Sequence, residues 1–481
     1  MTQPKEVGGL GALFEQYRAR GEVVEIAREV DSECELSGLI VALNNLPVTP
    51  PVFFPQVKGY RFPVGGNLFA ERRRACDILG LPTDPIAFKE AYLHAMEHPV
   101  PPVMVPEAPC QERVLTGQFD ALGTVPSIKA SLDCGGRYFQ PVVVSRDPQG
   151  GWRNVAMARS MLLGDNRVAM NIRYETHVGY HFQKAREKGI PFELALVIGA
   201  APEVYIAAVT KMPFGTDELS LAGALRGAPS PVVRCQTLDL EVPASAEFVL
   251  EGVIEPPYEE AVEGPWPEFL KYLSIPRACP VMRITAVTHR ERAMHYAVVA
   301  GTKDNYALRI SNDVSFYRYV KALDPNFVVD ATLTPGTAYW HHGIIQVRKD
   351  SFEKEGLQIN VALAAFGFSM YLETVTVVDE DVNILDMNEI DWAVCTRCNP
   401  GEQLHILPEG RTHRNNPIAG VHELLGDRFV GKSKLIVDAT VPWKYKQAGR
   451  GGLPLFQRAR FRPTDLREYL SPQDFTRWVK R

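Results

Sequence analysis

Two glutamates, Glu263 and Glu268, stand five residues apart in the segment VEGPWPEF, around two prolines and a glycine. Carboxylates fixed on a stiff loop suit acid–base chemistry, which needs one of them to hold a proton near neutral pH. Burial beside a second negative charge raises a carboxyl pKa and supplies such a donor. Taken alone, the segment reads more simply as a solvated loop, because most glutamates face water. Arg159 follows the strand-like run NVAMA, an odd place for a guanidinium. A bidentate partner for a carboxylate explains it, and so does an edge-strand arginine facing water.

Asn154, His181 and Glu218 form a second constellation of one carboxamide, one imidazole and one carboxylate from three separate elements. Hard oxygen donors with a single nitrogen favour magnesium or manganese over zinc. His177 and His181 have the i, i+4 spacing of a zinc helix, but the general-base glutamate of HExxH is missing. Histidines satisfied at the surface or in the core are the alternative. Cys395 and Cys398 make a lone CxxC among eight scattered cysteines, which fits free thiols in a reducing cytosol better than a zinc or redox site. The sequence has no GxGxxG after a strand, no Walker glycine loop and no GxSxG. Rossmann, P-loop and nucleophile-elbow sites are therefore not indicated.

These residues need a sizeable scaffold. A chain of 481 residues with 46% apolar and 23% charged residues exceeds what one core serves, so two or three domains are expected. The formal charge is -5 with cations and anions interleaved, which argues against a nucleic-acid partner. The N-terminal residues lack the pattern of a secretory signal. The most apolar run, LALVIGAAPEVYIAAV, is broken by Pro202 and Glu203 and falls short of the roughly 20 residues of a bilayer helix. A cytoplasmic protein without a membrane span is expected.

Three blocks are visible, at 1–110, 111–310 and 311–481. In the first, Asp84 and Pro85 supply an N-cap and a position-one proline for a surface helix over IAFKEAYLHAM. The second is rich in strand signals: QPVVVSRD, WRNVAMARSMLL, and a pair MRITAVTH and MHYAVVAG joined by a charged turn. Its helix YHFQKAREK is closed by Gly189. The third alternates helical SNDVSFYRYVKAL and MNEIDWAVCTR with the strand ETVTVVDED. The fold class is a multidomain α+β or α/β chain, with a β-rich centre between two α/β domains.

The blocks VKGYRFPVGGNLFAERRRACDILG (57–80), DCGGRYFQPVVVSRDPQGGWRNVAMAR (133–159), HVGYHF, IGAAP, MPFGTDELSLAGAL, LEVPASAEFVLEGVIE, VEGPWPEF, VVDEDVNILDMNEIDWAVCTR and KLIVDAT span nearly the whole chain. In that order the sequence resembles the UbiD-type decarboxylases, the family of bacterial polyprenyl-hydroxybenzoate decarboxylase and fungal ferulic acid decarboxylase. The resemblance implies a flavin-reductase-like split β-barrel for the middle block. It also implies prenylated FMN as cofactor, supplied by a flavin prenyltransferase, with Asn154, His181 and Glu218 holding Mn2+ or Mg2+ at its phosphate and K+ nearby. Arg159, Glu263 and Glu268 become the catalytic trio, with Arg159 orienting the substrate carboxylate and Glu268 as proton donor. Cofactor contacts are implied from Met157 and Arg159, from Asn171, Ile172 and Arg173, and from Met212 and Pro213. A homodimer or dimer-based hexamer is implied too.

The implied reaction is reversible decarboxylation of a small aromatic, heteroaromatic or α,β-unsaturated acid. A ubiquinone-pathway polyprenyl-hydroxybenzoate decarboxylase, a non-catalytic flavin-binding scaffold and a flavin-free metal decarboxylase are the alternatives. Two departures from the family pattern stand out. Trp266 and Pro267 occupy the EGPxGE loop, where an indole is expected to fill volume in front of the flavin and favour flat acids. NVALAAFGFSMYLET has no Lys or Arg, so Arg173 or Arg397 is expected to supply the missing phosphate charge.

Overall fold

The alternating strand signals of the middle block build one ten-stranded sheet, antiparallel throughout. The computed structural model describes residues 8–307, 310–408, 410–413, 416–424, 431–446, 448–450, 453–459, 462 and 464–478. The main path of the sheet runs Tyr138–Phe139, Ser160–Gly164, Arg167–Met170, Arg277–His289, Phe248–Ile254, Phe192–Ile198, Val142–Arg146, Arg153–Met157. Arg113–Thr116 and Glu260–Glu263 pair with the two ends of the long strand Arg277–His289.

Two chain links tie opposite ends of this path. Gln140 and Pro141 join Phe139 to Val142, and Ala158 and Arg159 join Met157 to Ser160. Each link spans at most roughly 11 Å, so the sheet must curl until its two edges nearly meet. The expected split barrel is this curled sheet, and Arg159 lies in the split.

Strand Phe192–Ile198 shows how the barrel is filled. Leu194, Leu196 and Ile198 join an inner cluster with Phe139, Phe248, Leu250 and Met282. Ala195 and Val197 face the other way, into a cluster with Val204, Tyr205, Leu219 and Leu225, contributed by helices Pro202–Ala208 and Glu218–Arg226. A strand buried on both faces reads as a continuous apolar run, which accounts for LALVI. Among the described residues no helix is long and apolar enough to cross a membrane.

One expected pairing is not found. MRITAVTH and MHYAVVAG do not form a hairpin. His295–Ala297 leaves the barrel and pairs in parallel with Val64–Gly66, in a sheet with Val24–Glu25 and Val52–Phe54. Burial draws it away: Tyr296 packs among Phe14, Phe69 and Tyr205 and donates to Asp304. Glu247 holds the departure point by accepting the backbone N–H groups of Met294 at 3.2 Å and Gly11 at 3.0 Å.

Burial pushes the Glu247 carboxyl up to about 7, with Arg290 opposing. The folded chain then keeps this proton while the unfolded chain releases it near the ordinary carboxyl value. The associated stability is full below that ordinary value and is lost as pH rises through about 7. We expect the unfolding temperature to fall between about pH 5 and about pH 8 more steeply in the native chain than in Glu247→Gln. Parallel profiles would remove Glu247 as the cause.

The N-terminal helix forms as anticipated over Pro85–Glu97, with Asp84 accepting from the Ala87 N–H at 2.9 Å. Its Lys89 is fully buried and donates to Asp330 at 2.6 Å in strand Val328–Leu333. That strand edges a five-stranded sheet continued by His342–Val347, Thr374–Asp379, Lys434–Ala439 and Leu404–Leu407. The three middle strands are parallel and are accompanied by helices Ile310–Lys321, Leu357–Ala365 and Met387–Arg397, the α/β layering expected of the last block.

Candidate active site

Arg159 leaves the barrel split between two carboxylates. Its Nε donates to Glu263 Oε1 at 2.8 Å and its Nη2 to Glu263 Oε2 at 3.2 Å, while Nη1 donates to Glu268 Oε1 at 2.6 Å. The three candidate catalytic residues are thus one contact group, with Glu263 and Glu268 both buried. Glu263 ends strand Glu260–Glu263, in register with Arg277. The chain then turns at Gly264, whose φ of 102° lies where only glycine is comfortable. Gly135 supports the turn from below: its N–H bonds Pro265 O at 2.8 Å, and a Cβ there would meet Gly264 O at 2.1 Å. The DCGG motif is therefore a packing requirement of the glutamate loop.

Glu263 is the anchored member. It also accepts from Tyr138 Oη at 3.0 Å and Asn171 Nδ2 at 2.8 Å. Burial would push its carboxyl up, but the Arg159 guanidinium with Asn171 and Tyr138 overcomes this and holds it below the usual range. Arg277 extends the chain by donating to Asn171 Oδ1 at 2.5 Å. Glu268 accepts from Arg159 through one oxygen, and its backbone N–H bonds Tyr272 O at 2.8 Å. One carboxylate is tied down on both oxygens, and the other is held at one and placed on a loop. That asymmetry suits an anchor and a proton carrier.

Trp266 packs against protein side chains. It is buried in a small cluster with Cys134, Tyr138, Met161 and Cys279, 4.3 Å from the Tyr138 ring and with the Arg159 guanidinium 5.8 Å from its centroid. The loop's reversal at Gly264 turns the indole into the barrel end, where it buttresses Arg159. Tyr138, Ser274 and Arg277 were missed at the sequence level. Ser274 Oγ accepts from Trp266 N at 3.0 Å, a contact with no local sequence cue.

Asn154 lies on the strand that leads to Arg159, five residues earlier and roughly 16 Å away if extended. Next to it, the Val155 N–H donates to Glu218 Oε2 at 2.7 Å. Glu218 opens its helix behind the N-cap Asp217, and Arg153 pins that cap with an ion pair to Asp217 of 2.5 Å. Burial pushes the Glu218 carboxyl up, with His177 opposing.

The two histidines have different partners. His177 Nδ1 lies 3.6 Å from Glu218 Oε1. His181 Nδ1 instead meets Ser145 Oγ at 3.1 Å, and its buried Nε2 has no partner among the described residues. Burial lowers the His181 pKa to about 4, leaving a neutral imidazole. Spacing could not choose between them, because residues four apart share a helix face. The Glu218 carboxylate, the Asn154 amide oxygen and the His181 Nε2, which has no partner among the described residues, are the donor types that suit a divalent cation bound by oxygen and one nitrogen.

The remaining expected contacts scatter. Met157 ends the Asn154 strand and Ile172 follows Met170. Met212 is buried in the outer cluster and Pro213 is exposed. Arg173 pairs with Glu175 and touches His413. Arg397 is held by Asp381 at 2.6 Å and by Asp379 at 3.3 Å, so its charge is already balanced and it does not answer for the missing phosphate cation.

The chain matches the three parts of one family along most of its length. Residues 14–90 match the 3-octaprenyl-4-hydroxybenzoate carboxy-lyase N-terminal domain, 103–303 its Rift-related domain and 305–439 its C-terminal domain. Anhydromevalonate phosphate decarboxylase of Methanothermobacter thermautotrophicus is 32% identical, over 73% of this chain and 79% of that protein. The UbiD-class enzyme HmfF of Pelotomaculum thermopropionicum, solved with FMN, superposes with a TM-score of 0.86 at 31% identity, over 96% of this chain and 100% of that one. The 3,4-dihydroxybenzoic acid decarboxylase of Klebsiella pneumoniae gives 0.88 at 28% identity, over 96% and 100%. The curled barrel, the α/β sheets on either side of it and these matches agree: the chain belongs to the UbiD family of carboxy-lyases.

Proposed function

We propose that the chain decarboxylates, reversibly and without net oxidation, an aromatic, heteroaromatic or α,β-unsaturated carboxylic acid, using prenylated FMN. The observation that carries this is Arg159 clamped between buried Glu263 and Glu268. Relatives solved with FMN and with prenylated FMN support the cofactor. When bound, the prenylated flavin supplies an electron sink for the bond to carbon dioxide. Arg159 orients the substrate carboxylate, Glu263 keeps the guanidinium in place, and Glu268 delivers a proton to the carbon that carbon dioxide leaves.

Asn154, His181 and Glu218 would hold Mn2+ or Mg2+ at the cofactor phosphate, with K+ close by. Met157, the Asn171–Arg173 segment, Met212 and Pro213 would flank the flavin. A cytoplasmic homodimer or dimer-based hexamer, loaded by a flavin prenyltransferase, completes the proposal.

The test is co-expression with a flavin prenyltransferase, followed by absorbance and mass spectra of the released cofactor and carbon dioxide release from a panel of acids. Prenylated FMN with turnover supports the reading. A colourless, active protein would replace it with a metal-only decarboxylase. Metal content separates the histidines: we expect His181→Ala to lose at least about tenfold in manganese affinity and His177→Ala to lose less, since Ser145 orients the His181 ring while His177 is turned to Glu218. The reverse order would move the nitrogen ligand to His177.

A further inference from the structure

The C-terminal sheet contributes one wall of the candidate site. Phe269, next to Glu268, meets Trp340 edge-on at 4.9 Å, and Trp340 lies 4.1 Å from Tyr371. Tyr371 stacks on His413 at 4.4 Å, and His413 touches Arg173. Arg173 is two residues beyond Asn171, which donates to Glu263. These contacts close a circuit that begins and ends on the catalytic trio.

His341 sits in this wall, 6% exposed, edge-on to Tyr371 at 6.0 Å. Its carbonyl accepts the N–H groups of Glu373 at 2.9 Å and Thr374 at 3.0 Å, which pins its backbone. Its Nδ1 lies 3.3 Å from Glu373 Oε1, and its buried Nε2 has no hydrogen-bond partner among the described residues. A buried polar group without a partner is costly and calls for an explanation.

Glu373, by contrast, is well supplied. Thr412 donates to it, Asn416 Nδ2 lies 2.7 Å from Oε2, and Lys432 Nζ lies 2.7 Å from the same oxygen. Burial alone would push the Glu373 carboxyl up, but His341, Lys432 and Thr412 bring it down to about 2. An anion fixed beside Nδ1 keeps the proton on that nitrogen and leaves Nε2 as an acceptor.

We propose that His341, oriented by Glu373, determines substrate specificity by accepting a hydrogen bond from an O–H or N–H on the substrate ring. The inference rests on the decarboxylase reading and narrows it. The preferred substrate is an aromatic or heteroaromatic acid with a hydrogen-bond donor remote from its carboxylate, and purely hydrocarbon unsaturated acids fall outside the class.

The experiment is calorimetric binding to the flavin-loaded protein of matched acids with and without the donor. Suitable pairs are para-hydroxybenzoate against para-methylbenzoate and pyrrole-α-carboxylate against furan-α-carboxylate. We expect the native protein to prefer the donor-bearing member of at least one pair by about tenfold or more, and His341→Leu to reduce that preference to about twofold or less. His341→Gln, which keeps an acceptor, should restore part of it, and it carries the comparison if the leucine variant does not fold. No preference in the native protein, or an unchanged preference in both variants, would overturn the proposal. A preserved preference without carbon dioxide release would instead sink the decarboxylase reading and leave His341 as a recognition residue.

Discussion

Glu268→Gln is expected to lower decarboxylation by about 10²- to 10⁴-fold while leaving flavin binding unchanged, the range a positioned proton donor contributes. The substitution removes the acidic proton and little else. Glutamine keeps an oxygen to accept from Arg159 Nη1, which reaches Glu268 Oε1 at 2.6 Å, and the loop is fixed independently by the Glu268 N–H to Tyr272 O bond. Turnover of the preferred acid is the measurement, with released flavin quantified in the same preparation. A variant within about tenfold of the native rate would show that the proton comes from elsewhere.

The second large effect is on both stability and activity. Arg159→Met would leave Glu263, which is fully buried, and Glu268 without their shared cation. Breaking a buried ion pair from one side costs about 3–5 kcal/mol, because the orphaned charge stays in the protein. The unfolding midpoint should drop accordingly and activity should vanish. Adding Glu263→Gln should recover part of the stability, since Asn171 and Tyr138 still serve the amide, and none of the activity. If the double variant is less stable than Arg159→Met, the charge argument fails.

The two glutamates show where sequence reasoning stops. Their segment is conspicuous for its rigid residues, but nothing local says which glutamate is anchored. That is decided by Tyr138 and Asn171, 125 and 92 residues away from Glu263. Trp266 shows the same limit: an indole on a loop has no preferred side until the turn at Gly264 and the packing of Gly135 beneath it set one. His177 and His181 are equivalent by helical period, and only the approach of the Glu218 helix separates them.

Elements whose signal lies within a few residues were legible in the sequence. The Asp84 cap and the Gly189 stop each follow from local backbone chemistry, and the ordered motifs were enough to indicate the family. Contacts between distant segments were decided by the tertiary structure. His295–Ala297 pairs with Val64–Gly66 instead of its neighbour in the chain, because burying Tyr296 outweighs a short turn. Arg159 lies in a barrel split that exists only because two short links force the ends of one sheet together. The buried His341 beside Glu373 likewise depends on packing across the C-terminal sheet. Local chemistry specifies a strand, a cap or a turn, whereas a site assembled across more than a hundred residues depends on which surfaces are buried against one another.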